Sequence, residues 1–471
     1  MSTQKKKKTS KEASFRAKQI KSLIRNSLNL YLMRCFVLSI GWILVNGCTT
    51  VTSEVIKEES LTQKTIRLGS ILALEGQEEA LGNNMKLGLE AALNGKIVQG
   101  KKRIEITFEN DYYEPAVAKQ KTRKLIDSGI LLMIGNVGTP TAKETLPILS
   151  NKQVPMVGFL TGAQLLRTPS KSSELIINYR ASYKQEIEKV VKMALKKKDI
   201  EASEICAYVQ DDSYGKSGLQ ALRDSLKEAG AQEEILAFYD KYLDGKDTKS
   251  DRNQIYGPVG FYTRNTPDVE LGYESLKNWE KTRGINCRLV VTAGTSSNIA
   301  RFIKLAQDKE NNWLISSLSF ADAQELKLDL EEYGITKNVI MTQVVPLLDS
   351  DLAIVKEAKD EFKKQAESKF NKEAKSKFKD EFNNVFLEGF IVGKMTLEII
   401  EKIPGEVNSK NFLKQIRMSK KFNLDGVSID LTQRPIQASN LVLITELTSE
   451  GFQPLNNSSL AQHHNCENNP L

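Results

Sequence analysis

The only two histidines of this 471-residue chain, His463 and His464, stand side by side at its far C-terminal end. A Ser-His-Asp triad, a Cys-His pair and a histidine-ligated metal all need an imidazole inside the folded body, and the sequence puts none there. No G-x-x-x-x-G-K-[ST] phosphate loop, G-x-S-x-G elbow, CxxC or Cys/His cluster occurs. Asp211 and Asp212 come nearest to a paired general acid and base. Adjacent residues of an extended segment point to opposite faces, so the pair reads as a solvated loop. The expectation is a protein with no catalytic residue, metal or cofactor.

The chemistry that remains is that of binding. Gly138-Thr139-Pro140-Thr141 stands between an apolar run and an amphipathic one, which makes it a helix N-terminus. Free backbone N–H groups, the positive end of the helix dipole and two hydroxyls form a seat for a carboxylate. Simple capping, with Thr139 as N-cap and Pro140 at the first helical position, accounts for the same residues and is compatible with contact to a ligand.

The elements that must position this turn follow from hydrophobic rhythm. Short apolar runs alternate with longer amphipathic ones: Ile66 to Leu72 before Asn83 to Leu93, Ile104 to Phe108 before Pro115 to Ser128, Leu131 to Gly135 before Pro140 to Asn151. The pattern resumes at Ile205 to Val209, where Leu219, Leu222 and Leu226 recur at helical spacing, and continues through strand-like runs at Arg288 to Thr292, Trp313 to Leu318 and Val339 to Val345. Alternation of this kind implies a parallel sheet covered on both faces. Running twice, it predicts an α/β protein of two doubly wound lobes, with a ligand site where the strand ends face the cleft. Asp244 to Asn253 reads as a surface loop and Lys363 to Asp380 as a charged, solvent-exposed helix.

The net charge of +8 suggests nucleic acid until its position is considered. Residues 1–47 hold ten of the 67 Lys and Arg and one of the 59 Asp and Glu, which leaves 57 basic and 58 acidic residues in the rest. A near-neutral body offers no phosphate-binding field, so no nucleic-acid partner is expected. The basic leader precedes the apolar run Cys35 to Val45 and then Asn46, Gly47 and Cys48. That run is too short for a bilayer span and fits an export signal. Val45-Asn46-Gly47-Cys48 resembles a bacterial lipobox, with Asn46 a departure, and so nominates Cys48 for lipidation and a membrane anchor. Translation from Met33 in place of Met1 leaves a leader of ordinary proportions. Of the later cysteines, Cys206 and Cys287 lie in or beside strand-like runs and read, like Cys466, as free thiols outside any disulfide framework.

Several segments, in order, resemble the Leu/Ile/Val-binding-protein family of transporter receptors, with the periplasmic binding protein type 1 fold. They are Met133 to Thr141, Val154 to Gly162, Tyr179 to Tyr183, Gln210 to Gly215, Arg264 to Thr266, Ser317 to Phe320, Gln343 to Pro346 and Leu387 to Gly389. The resemblance spans about Ile66 to Pro454. It implies a monomeric extracytoplasmic solute-binding protein that hands a small ligand to the permease of an ABC transporter, with a ligand-sensing receptor as the alternative. It also implies a three-crossing hinge near Arg180 to Tyr183, Val344 to Pro346 and Asp425 to Ser428. The chain then divides into leader 1–47, tether 48–65, lobe one 66–180 plus 346–425, lobe two 181–345 plus 426–455, and tail 456–471.

Carried over position by position, the family's ligand contacts fall on Thr139, Thr141, Leu160, Thr161 and Gly162 in lobe one and on Tyr183, Tyr214 and Ser319 toward lobe two. Ser319 stands where branched-chain amino-acid receptors resemble one another in using an acid for the ligand ammonium, and Leu81 stands where they place an aromatic ring. A serine supplies no charge. The expected ligand is therefore a small carboxylate or amide-like solute, with leucine-type amino acids as the runner-up if a nearby acid such as Asp322 takes over.

Overall fold

The computed structural model describes residues 65–197, 199–244, 257–369 and 381–455. The expected leader, Cys48 and the tail lie outside them, as do most of the Asp244 to Asn253 loop and the end of the charged stretch from Lys363. The elements are β1 (Thr65–Leu72), β2 (Ile97–Val98), β3 (Lys102–Asn110), β4 (Met133–Ile134), β5 (Met156–Val157), β6 (Ile176–Asn178), β7 (Ile205–Gln210), β8 (Val259–Tyr262), β9 (Leu289–Ala293), β10 (Leu314–Ser317), β11 (Val339–Gln343), β12 (Lys421–Leu424), β13 (Val427–Asp430), β14 (Ile436–Gln437), β15 (Leu443–Thr448) and β16 (Gly451–Pro454). The helices are α1 (Glu79–Leu93), α2 (Pro115–Asp127), α3 (Thr139–Asn151), α4 (Tyr183–Lys197), α5 (Ser213–Glu228), α6 (Glu233–Leu243), α7 (Glu270–Arg283), α8 (Ser296–Asp308), α9 (Ala323–Glu332), α10 (Ala353–Lys369), α11 (Asn384–Glu401) and α12 (Ser409–Met418).

Among the described residues two seven-stranded sheets result, in the order β14-β6-β5-β4-β1-β3-β2 and β16-β15-β11-β10-β9-β7-β8, with β12 and β13 forming a separate two-stranded sheet. The central strands of each are parallel, with antiparallel pairing at one edge, β2 in the first sheet and β15 and β16 in the second, and a parallel strand, β14 or β8, at the other. Every residue of β7 and β9 is buried, as a sheet covered on both faces requires. In lobe one, α1 and α11 approach backbone to backbone. A Cβ added to Gly88 would lie 2.2 Å from the Phe386 carbonyl oxygen, so glycine is what allows that approach.

The chain passes between the sheets at 179–182, at 344–352 and at 438–442. The third passage differs from the sequence reading. Asp425 and Gly426 form the turn of the β12–β13 hairpin, and β14 then pairs in parallel with β6 before the chain leaves. Residues 426–437 therefore stay with the first sheet. A second correction concerns the thiols: Cys206 and Cys287 form a disulfide, with Cα atoms 5.7 Å apart. The cysteine count gives no hint of it. Pairing of Ile205 with Leu289 across β7 and β9 brings the two sulfurs together.

Candidate functional site

In both lobes the site residues follow the C-terminal ends of parallel strands. After β4 the N-cap of α3 is Gly138, not Thr139. Gly138 has φ +104°, and a Cβ there would meet the Tyr113 ring at 2.4 Å. Thr139 is thereby released from capping, and its Oγ1 lies 2.7 Å from Oγ1 of Thr161, which follows β5. Tyr183, the first residue of α4, lies beside both hydroxyls, and its own hydroxyl has no aligned partner. Burial raises the Tyr183 pKa, which keeps it a neutral donor. Three buried hydroxyls thus meet at the positive end of α3, an arrangement that suits an anion.

The other expected lobe-one residues sit nearby with different tasks. Thr141 Oγ1 donates to the carbonyl oxygens of Val137 and Gly138 at 2.7 and 3.1 Å, so it turns back into its own helix. Leu160 is buried in the core, and its N–H donates to the Asn136 carbonyl at 2.8 Å. At Gly162 an added Cβ would lie 2.6 Å from the Tyr183 nitrogen. The close approach this glycine permits is that of the first passage. Leu81 is buried in the core of lobe one.

Lobe two faces this seat with aromatic rings. Tyr214 donates its hydroxyl to the Gly294 carbonyl at 3.2 Å, and its ring lies 5.3 Å from Tyr183 and 4.7 Å from Phe320. Phe320 in turn lies 6.3 Å from Tyr113 of lobe one. The Ser319 N–H donates to Glu186 Oε2 at 2.9 Å, and its buried hydroxyl has no partner among the described residues. Three residues on, Asp322 caps α9 by accepting from the Gln324 N–H at 2.9 Å, while its Oδ2 is buried and unpartnered. Burial pushes the Asp322 pKa up to about 6 against the lowering influence of the Gln324 and Glu325 N–H groups and of the Asn84 amide of lobe one, which lies nearby without an aligned bond. Burial likewise raises Asp111, after β3, and Glu78, before α1, to about 7.

Sequence reasoning missed Asp111, Tyr113, Phe320 and Glu78. The available signal was positional: Asp111-Tyr112-Tyr113 follows β3 as Gly138-Thr139 follows β4. It also missed the supports beneath the seat. Arg167 donates to the Thr161, Ala163 and Arg180 carbonyls at 3.2, 3.1 and 2.8 Å and to Gln437 Oε1 at 2.8 Å. Arg180 and Glu388 form a fully buried ion pair at 3.0 Å. Among the described residues no acidic, histidine or cysteine group is arranged to hold a metal, and no helix is long and apolar enough to cross a membrane.

Two lobes on parallel sheets, joined by three passages, carry the candidate site at their strand ends. The family model described as periplasmic binding protein matches residues 65–248. Similar solved structures include a possible leucine/isoleucine/valine-binding protein from Rhodopirellula baltica SH 1, at 27% identity and TM-score 0.70, covering 84% of this chain and 97% of that one. A branched-chain amino acid ABC transporter protein from Thermus thermophilus with bound valine is similar at 13% identity and TM-score 0.65, covering 84% and 96%. A fatty acid ABC transporter substrate-binding protein from Thermomonospora curvata is similar at 14% identity and TM-score 0.65, covering 84% and 92%. No curated protein matches the sequence. Residues 65–248 are thus similar to the periplasmic binding proteins, and the two-lobed fold is the one the chain shares with these solved structures.

Proposed function

We propose that this protein captures a small carboxylate or amino-acid-like ligand between its lobes and delivers it to an ABC-type importer. The observation that carries the reading is the meeting of the Thr139, Thr161 and Tyr183 hydroxyls at the N-terminus of α3, opposite the Tyr214 and Phe320 rings. A carboxylate there accepts hydrogen bonds from groups already oriented by the fold, and the rings cover its carbon chain. The unpartnered Asp322 oxygen, on the turn that carries Ser319, supports an ammonium on the same ligand. That meets the condition set by Ser319 for an α-amino acid, with Thr139, Thr161, Tyr183, Tyr214 and Ser319 as the contact set.

A thermal-shift screen of amino acids, 2-oxo acids and amides tests this. A stabilising ligand is expected, and Thr139→Val, which keeps the side-chain shape and removes the donor, is expected to weaken it at least tenfold, the loss typical of an unpaired charged group. An unchanged shift in the variant would move the carboxylate elsewhere. The lipobox-like Val45 to Cys48 and the Cys206–Cys287 disulfide, which suits an oxidising compartment, support an exported protein anchored by lipid on Cys48. Cys48→Ser is expected to shift it from the membrane to the soluble fraction, and unchanged fractionation would refute the anchor.

A further inference from the structure

The rim of the cleft is crossed by a group of contacts that the ligand seat does not require. Arg264, two residues beyond β8 in lobe two, places Nη1 2.9 Å from Asp212 Oδ2 of its own lobe and Nη2 3.0 Å from Glu114 Oε2 of lobe one. Its guanidinium lies 5.9 Å from the centre of the Tyr113 ring, also in lobe one. Asn265 adds a second bond across the cleft, Nδ2 to Glu114 Oε1 at 2.8 Å. Both carboxylate oxygens of Glu114 are therefore held by lobe two.

Asp212 is fixed from below: its Oδ1 accepts from the Tyr214 N–H at 2.8 Å and its Oδ2 from Gln210 Nε2 at 2.7 Å. Arg264 is thus oriented by lobe two before it meets lobe one. Glu114 stands one residue from Tyr113 and directly before α2. Bringing Glu114 to Arg264 brings Tyr113 to Phe320 over the cleft.

We propose that Arg264 and Asn265 form an interlobe clasp on Glu114 that sets the closed fraction of the ligand-free protein, with Arg264 the positioning residue that brings the Tyr113 turn over the cleft. Ligand affinity scales with the closed fraction, so the clasp tunes affinity without touching ligand. This consequence rests on the binding reading above. The clasp itself does not, and it is tested without ligand.

Small-angle scattering on the ligand-free chain compares wild type with Arg264→Ala and Glu114→Ala. The second variant keeps the Arg264–Asp212 pair and removes only the two bonds across the cleft, at a side chain 43% exposed, so misfolding is not at issue. Wild type is expected to be compact. Glu114→Ala and the double variant are expected to expand equally, with the closed-to-open ratio reduced about fivefold; Arg264→Ala, which leaves the Asn265 bond, is expected to expand no more than these, and raised salt is expected to expand wild type most. Three results would each overturn the clasp: variants as compact as wild type, a wild type already expanded and insensitive to salt, or expansion in Arg264→Ala without Glu114→Ala. A failed clasp would leave ligand capture intact, and failed ligand capture would leave the scattering result intact.

Discussion

Asp322 carries two demands on one side chain: one oxygen caps α9, and the other is buried without an aligned partner. Its carboxyl titrates near 6 in the fold against 3.8 for an ordinary aspartate, and burial is the leading cause. Between those values the folded chain holds a proton that the unfolded chain has released. Stability therefore falls as pH rises through this window, and the full cost is present above about 6. Asparagine caps a helix as well as aspartate does. Asp322→Asn is thus expected to match or exceed wild type at neutral pH, by on the order of 2 kcal/mol, and to flatten the pH dependence in urea titrations. Asp111 and Glu78, raised to about 7, keep part of the slope. A variant less stable at neutral pH with an undiminished slope would refute the raised carboxyl. At this scale Thr139 and Thr161 were legible because a strand end followed by a helix start exposes hydroxyls and N–H groups. The capping role of Gly138 was not, because only the Tyr113 ring behind it requires a residue with no side chain.

The longer elements were legible because period and length agree. The three-and-four spacing of Leu219, Leu222 and Leu226 becomes the buried face of α5, and the run from Ile66 becomes β1. Two-residue strands such as β4 and β5 carry too little pattern to be bounded, although the apolar runs that hold them are plain. The α1–α11 contact was hidden for another reason. Gly88 and Gly389 look like helix weaknesses in isolation and become intelligible only where two backbones meet. Glu388 had a readable signal, a carboxyl inside the apolar run Val385 to Val392, yet its partner Arg180 lies 208 residues away. Breaking such a pair typically costs about 3–5 kcal/mol because the remaining charge is buried alone.

At the scale of the molecule, the doubled βα rhythm already gave two lobes and a cleft. The misplaced third passage and the unread disulfide have one cause. Both depend on which strands become neighbours, β14 beside β6 and β7 beside β9, and pairing between distant segments leaves no periodic trace. Ligand identity is the property on which lobes, seat and acids must agree. The measurement that tests it most directly is calorimetry of the purified chain with leucine, isoleucine and valine, alongside their 2-oxo acids, which keep the carboxylate and lack the ammonium. The account predicts micromolar or tighter binding of at least one amino acid and weaker binding of its 2-oxo acid. Binding of none of these carboxylates, or a 2-oxo acid bound as tightly as its amino acid, would contradict it.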